Sequence, residues 1–547
     1  ADKQLTHSLK PNPSRGDHSD WGLLKSVQEW KEKAMANEYL LGVDIGTYSS
    51  KGVLVNADTG DVVSSHVIEH NLSMPKPGWV EHDPEGIWWQ EFVRICRSLL
   101  NESAIPAAEV KAVGVSGIGP CVLPVDAEGH PLRQAILYGI DTRAKLEIQQ
   151  CEEALGREAI FKMSGSNLSS SSAGPKILWI KNNEPEVFER ARWFLTCQSY
   201  LVLKLPGDVT IDAYSACSVA PFVDVENNAW LEGEILGVNP RTVLPRIIWT
   251  TDVAGHVTTR AAAETGLLPG TPVIGGTIDA AAEAISTGLT DEGDMMMMFG
   301  SSNSLILRTD HWVRSENFWG LNWLRPGTFA LVGGMATLGS LTRWFRDNFS
   351  PEEVAAQAAG GPNAYAALGN LLNESSLGAK GLVALPYFGG ERTPFYDPDA
   401  SGVLFGLTLK HTRADVYRAL LEGVGYGLRH NIDTLSAEGA VPRRVLGVGG
   451  ATYNQAWMQI IADITNLKIE IPEKQHGASY GDAFLAGLGI GRFTALSDVN
   501  RWVKHNCAFI PSPENYVRYT PFYQLFRELY QQTNQLMWKL SDLRRSL

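Results

Sequence analysis

Apolar runs of strand length alternate with amphipathic runs of helical length along most of this chain, and that alternation limits the fold more than any other feature. "LLGVDIG" (40–46) is followed by "EGIWWQEFVRICRSLL" (85–100) and "VKAVGVSG" (110–117). The second half repeats the habit in "ALVGG" (330–334), "RADVYRALLEGVGYGLRHNIDTL" (413–435), "RVLGVGG" (444–450) and "AWMQIIADITN" (456–466). Such alternation predicts α/β architecture, with helices packed on sheets. A chain of 547 residues has room for two domains, each with its own core. The boundary is expected in "STGLTDEGD" (286–294), between a helix and the next strand, which gives domains over 39–287 and 288–547. Val416, Leu420, Val424, Leu428, Ile432 and Leu435 mark one stripe of a helix, and Thr412 with Asp415 reads as its capping box. "SGSNLSSSSAGP" (164–175) and "AAGGPNA" (358–364) read as loops.

Within that frame, "YLLGVDIGTYSSKGVLV" (39–55) reads as a buried hairpin whose bend is full of chemistry. Gly46 lets backbone N–H groups approach a phosphate. Thr47 and Ser49 supply hydroxyls, Lys51 supplies positive charge, and Asp44 is suited to a hydrated Mg²⁺ rather than to phosphate. The alternative is a turn that uses Asp and Gly for backbone reasons alone. "GTYSSKGVLV" from Gly46 has a faint echo in "GSSNSLILRT" from Gly300, so a duplicated fold and a chance match both stand.

Three further stretches carry candidate chemistry. In "PVIGGTIDAAAEAISTG" (272–288) an apolar strand ends in glycines and Asp279 opens a helix. Asp279 is either a general base held by the helix start or a carboxylate that simply suits the helix dipole. "MMMMFGSSNSLIL" (295–307) offers a second phosphate-facing turn at Gly300, Ser301 and Ser302. In "VLGVGGATYNQAWMQIIAD" (445–463), Gly449, Gly450 and Ala451 leave room for a ring, and Asn454 stands at a helix start where its amide can meet an adenine or ribose. Neither a GxGxxG fingerprint nor a GxxxxGK[ST] loop is present.

A formal net charge of -13 argues against bulk attraction to nucleic acid or an anionic membrane, but not against a small anion such as ATP held by local groups. Six scattered cysteines without CxxC spacing predict free, mostly buried thiols in a reducing compartment, hence a cytoplasmic protein. No apolar run is long enough to span a bilayer, and the first residues lack a signal peptide's apolar core. Residues 1–38 read as an extension of unknown role, in which Trp21, Leu24, Val27 and Trp30 share helical spacing and Met35 is a candidate start.

The four stretches occur in the order found in the FGGY family of carbohydrate kinases, of the actin, hexokinase and chaperone ATPase superfamily, and the chain resembles that family over about residues 39–530. "PGWVEHDPEGIWWQ" (77–90), "PKILWIKNNEPEVFERA" (175–191) and above all "YFGGERTPFYDPDASGVLFGLTLKHTRADVYRALLEGVGYGLR" (387–429) are similar to its other landmarks. The resemblance implies two ribonuclease-H-like, actin-like ATPase domains hinged about a central cleft, with the sugar mostly on the first domain, ATP and Mg²⁺ between them, and a homodimer as a further expectation. It implies Asp279 as catalytic base, Asp44 at the metal corner, and Gly46, Thr47, Ser49 and Lys51 as the first phosphate loop. Gly300, Ser301 and Ser302 then match the second phosphate turn, and Gly449, Gly450, Ala451 and Asn454 the adenosine loop.

The sugar side departs from the family pattern. Xylulokinases usually carry Gly-Gln-Met-His-Gly after the third strand, whereas this chain has "VSGIGPCVLPVD" (115–126), with Ile118, Gly119 and Pro120 at the Gln, Met and His positions. The Arg-Glu-Thr-Thr segment of glycerol kinases is missing too. Ser116 and Gly117 in this segment, with Asp279, are the substrate-side candidates. Asp141 and Arg143 of "YGIDTR" (138–143) join them as offset matches to a Trp-x-Asp-x-Arg segment, against the alternative of a surface salt bridge. Ser171 and Ser172 fall near sugar-facing Tyr-Phe positions, while Trp79 and Glu81 are either pocket or core. The expected activity is transfer of the ATP γ-phosphate to a hydroxyl of a ketopentose such as xylulose or ribulose. The alternatives are a kinase of another polyol, sugar acid or signalling furanone, and a non-catalytic sugar- or ATP-binding regulator on the same fold.

Overall fold

The computed structural model describes residues 38–546. The expected N-terminal helix with Trp21 to Trp30, and Met35, lie outside the described residues.

The first half opens with β1 (Tyr39–Ile45), β2 (Ser49–Asn56) and β3 (Val62–Glu69), an antiparallel meander. Helix α1 (Gln90–Ser103) follows, and β4 (Val110–Gly117) then pairs parallel with β1. Helix α2 (Ala173–Asn183) lies in a long excursion before the chain returns in β5 (Val253–His256), β6 (Pro272–Ile274), β7 (Thr277–Ile278) and α3 (Asp279–Ser286). The sheet runs β5-β6-β4-β1-β2-β3, with β7 also on β4.

The second half supplies β8 (Asp294–Phe299), β9 (Asn303–Thr309), β10 (Trp319–Asn322) and β11 (Phe329–Gly333), then α4 (Ala364–Asn370) and α5 (Arg413–Ala437). It ends with β12 (Arg444–Val448), α6 (Gln455–Thr465), β13 (Ile469–Pro472), α7 (Ala478–Gly489), β14 (His505–Phe509) and α8 (Pro513–Ser546). Its sheet runs β10-β11-β9-β8-β12-β13-β14. From β11 to β14 the pairings are antiparallel, antiparallel, parallel, parallel, antiparallel. From β3 to β5 they follow the same order. The faint echo between Gly46 and Gly300 therefore marks equivalent hairpin bends in two sheets paired alike, which differ in connection at one edge: β5 precedes β6 in the chain, whereas β14 follows β13.

Burial follows strand alternation. Met295 and Met297 enter a core closed by Val424, Tyr426, Ile461 and Phe526. Met296, on the opposite face, joins Leu40, Ile274, Ile285 and Phe484 in a core shared by both halves. That shared core exists because α7, late in the chain, lies on the first sheet against β1 and β4 and beside α3. The chain order therefore does not partition the packing at residue 287. The capping box of α5 is present, with the Thr412 N–H donating to Asp415 at 2.8 Å. The helix is buried well beyond the expected stripe, at every residue from Ala419 to Arg429, because α6, α8 and the 383–405 hairpin all pack on it. Among the described residues no helix is long and apolar enough to cross a membrane, and the six cysteines are free thiols, five of them buried.

Candidate active site

The ends of β1, β4 and β7 bring the first-half candidates together. Asp44 lies opposite Lys51 in the β1–β2 register and beside Ser116 in the β1–β4 register, while Thr277 lies beside Ser116 from the other side. Asp279 is the first residue of α3. Its Oδ1 accepts from the Ala280 N–H at 2.7 Å, which leaves Oδ2 free of protein partners among the described residues. Gly276 makes the approach possible: it has φ +71°, and a Cβ there would lie 2.4 Å from the Val115 carbonyl oxygen.

These carboxylates raise one another. Burial first, then the charge of Asp44, pushes the Asp279 carboxyl well above the usual carboxylate range, and Ala280 N–H and Lys51 pull against this. Burial also raises Asp44, opposed by its bond from Ser116 and by Lys51. Glu283, one helical turn beyond Asp279, is pushed up to about 7 by burial and Asp44. Lys51 is thus the cation that this group of carboxylates faces. Oxygen donors crowded in this way suit a hard divalent cation, which would relieve their repulsion. Among the described residues no three His, Cys, Asp or Glu side chains form a ready-made cage.

The β1–β2 bend, the first candidate for holding phosphate, is closed by Gly46 N–H donating to the Ser49 carbonyl at 3.0 Å. The Thr47 hydroxyl lies 3.3 Å from the Tyr138 hydroxyl. Sequence reasoning missed what braces this bend from behind. His70 places Nε2 3.2 Å from the Gly46 carbonyl and Nδ1 2.9 Å from Glu91, which also accepts from Ser50 at 2.6 Å. It also missed Asp212, a fully buried carboxylate that accepts from Thr277 (3.0 Å), Thr250 (3.3 Å) and Gln198 (3.1 Å) and so pins the strand that leads into Asp279.

In the second half, Gly300, Ser301, Gly450, Ala451 and Asn454 line one cavity of about 810 Å³, together with Tyr365 and Asn370 of α4. The Asn454 side-chain Oδ1 caps α6 by accepting from Trp457 N–H at 3.0 Å, which leaves its NH₂ free to meet a ligand. Ser302 and Gly449 do not line this cavity. The Ser302 carbonyl instead closes the bend by accepting from Gly300 N–H (3.1 Å). Gly449 donates its N–H to Gln475 (3.0 Å) and passes so close to Phe299 that a Cβ would meet its backbone.

On the sugar side the structure corrects several expectations. Ser116 is fully buried, and its hydroxyl lies between Asp44 (3.1 Å) and Asp482 (2.6 Å), so it is not presented to a sugar. Gly117 is held in the sheet, and its side-chain direction is filled by Cys197. Asp141 and Arg143 do pair, but the pair is fully buried rather than on the surface. Asp141 also accepts from Val80 N–H (2.6 Å), and Arg143 donates to Glu81 (2.9 Å) and stacks on Trp79, 4.1 Å from the ring centre. Glu81 is claimed by Arg143 and Arg133, and Trp79 packs on Trp179, so both belong to the wall rather than the lumen. Ser172 accepts from Ser169 N–H, and Ser171 packs on Gly139. What this network holds in place is Tyr138. Buried Lys176 donates to its carbonyl at 2.8 Å and to Leu137 at 2.6 Å. The signal was in the sequence, because Tyr138 heads the very segment that matched Trp-x-Asp-x-Arg.

Residues 39–286 match the N-terminal domain, and 293–490 the C-terminal domain, of the FGGY family of carbohydrate kinases. The chain belongs to this family. A xylulose kinase of Staphylococcus epidermidis is 30% identical over 92% of this chain and 98% of its own length. A gluconokinase of Bacillus subtilis is 26% identical over 93% of this chain and 99% of its own. The crystal structure of xylulose kinase from Rhodospirillum rubrum superposes with a TM-score of 0.85 at 30% identity, covering 91% of this chain and all of that one. The protein is therefore an ATP-dependent carbohydrate kinase with the two-domain, actin-like ATPase fold.

Proposed function

We propose that this FGGY kinase phosphorylates a hydroxyl of a neutral ketopentose, xylulose or ribulose in class, with Asp279 as the general base. The observation that carries the reading is the placement of Asp279: a carboxylate oxygen free of protein partners, at a helix start, beside Asp44 and Lys51. The sugar hydroxyl donates its proton to Asp279 Oδ2 as its oxygen bonds to the γ-phosphorus. The bond from that phosphorus to the β-phosphate bridging oxygen breaks, and ADP leaves with that electron pair. The transition state is loose, so positioning and charge neutralisation supply most of the rate. Lys51 and the N–H groups of the Gly46 and Gly300 bends would hold phosphate, and the 810 Å³ cavity would hold the adenosine. Asp44 would hold Mg²⁺, which neutralises phosphate charge when bound.

Xylulose kinases among the relatives support a ketopentose, but gluconokinases stand nearly as near. The wall favours the neutral sugar. Arg133 and Arg143 are spent on Glu81, Glu184 and Asp141, and Lys176 on two carbonyls, while the carboxylates around Asp279 would repel a sugar acid. Free, mostly buried thiols support a reducing, cytoplasmic setting. The test is ADP release with Mg-ATP against a panel of ketopentoses, polyols, glycerol and sugar acids, with Asp279→Asn in parallel. A ketopentose should raise ADP release above the sugar-free rate only in the wild type. Gluconate as the best substrate would sink the ketopentose reading, and an active Asp279→Asn would remove Asp279 as the base.

A further inference from the structure

Helix α7 comes from the second half of the chain but lies in backbone contact with the first. A Cβ on Gly42 would fall 1.9 Å from the Ser479 carbonyl oxygen, one on Gly114 2.1 Å from that of Asp482, and one on Gly481 1.9 Å from that of Ala282. Absent side chains at these three positions are what let the helix settle onto β1, β4 and α3. The approach delivers one carboxyl side chain, Asp482, which is 1% exposed. Its Oδ2 is 2.6 Å from the Ser116 hydroxyl, and that hydroxyl is 3.1 Å from Asp44 Oδ1. Ser116 has a single hydroxyl proton, so both contacts are hydrogen bonds only when one carboxyl brings a proton of its own. Asp44 faces Lys51, whereas the charges facing Asp482 are Asp44, Asp279 and Glu283. The Ser116 hydroxyl thus bridges the two carboxyl groups, one from each half of the chain.

We propose that Asp482 is a positioning residue that, through Ser116, sets the Asp44 carboxylate for the metal bound with ATP. The segment leading into this helix also touches the 449–454 loop, since Gln475 accepts from Gly449 N–H at 3.0 Å. A helix rooted at the adenosine loop thus orients the metal corner of the other half. Asparagine keeps polar atoms that can hydrogen-bond the Ser116 hydroxyl, and leucine does not.

The proposal rests on Asp44 as the metal corner, and calorimetry of ATP binding, in Mg²⁺ and in EDTA, separates the two. Asp482→Leu and Ser116→Ala should each raise the Mg²⁺ concentration that half-saturates ATP binding by about tenfold, the scale of lost support behind a metal ligand. The double variant should be no worse than either single, ATP affinity in EDTA should not change, and Asp482→Asn should stay within about threefold of wild type. If Asp482→Leu does not fold, Ser116→Ala and Asp482→Asn carry the test. Variants that match a Mg²⁺-responsive wild type, losses that multiply in the double variant, or equal losses in EDTA overturn the proposal. A wild type indifferent to Mg²⁺ overturns the metal corner itself.

Discussion

The β1–β2 bend and the β8–β9 bend hold the same place in two sheets of the same order, yet only the first carries charge. Each is closed by its glycine N–H donating to a serine carbonyl, Gly46 to Ser49 and Gly300 to Ser302. Two residues before the glycine the first bend has Asp44 and the second Met298, and five after it the first has Lys51 and the second Leu305. The first bend is thereby set beside Asp279, and the second opens on the nucleotide-sized cavity. On the function proposed above, one frame used twice is divided into a half for chemistry and a half for holding. The division predicts that substitutions in the first half act on turnover and those in the second on ATP affinity.

The largest effect is expected at Asp279. Asp279→Asn should lower kcat about 10³-fold with little change in ATP affinity, as removal of a general base does; a loss confined to KM would break the division. Next comes Lys51→Met. Lys51 holds down the proton affinity of Asp44 and Asp279, so its loss raises both further. Turnover needs Asp279 ionised, so the acid limb of the kcat/KM profile should move to higher pH in the variant. An unmoved limb would separate Lys51 from the carboxylates. Ser301→Ala, the matching change in the second half, should raise KM for ATP about threefold and leave kcat alone, the worth of one ordinary hydrogen bond.

The sequence made the frame readable because periodicity and glycine-marked bends are local signals. Asp44, Asp279 and Gly300 could be placed from their neighbours in the chain. What was not readable is what depends on contacts between distant segments. Ser116 looked like a pocket residue because its segment borders the sugar side, but the parallel pairing of β4 between β1 and β7 turns its hydroxyl under Asp44. Asp482 sits inside an unremarkable helix and Asp212 at a strand end, and only the packing of α7 and of the excursion between β4 and β5 brings them beneath Asp44 and the strand that leads into Asp279. The Asp141–Arg143 pair was visible as a pair, but its burial was not, because Trp79 and Trp179 close over it from other segments.

The smallest effect sharpens the comparison from the other side. The second half also has a carboxylate raised by burial, Glu391, at about 7. Its Oε1 accepts from the backbone N–H groups of Ala336 and Arg392, both at 2.8 Å, and so braces the segments behind the second bend. If the halves divide as argued, this carboxyl is structural and its charge is a liability. Its proton is held more tightly in the folded state than in the unfolded one, so its contribution is full below about 4.5 and is lost as pH rises through about 7. Glu391→Gln keeps an oxygen for both N–H groups and cannot ionise. Its Tm should gain a few degrees on that of wild type between pH 5 and 8, with kcat and KM for ATP unchanged at the pH where wild type works best. Tm curves that run parallel would mean that burial does not raise this carboxyl, and a fall in kcat would mean that Glu391 takes part in the chemistry and that charge is not confined to the first half.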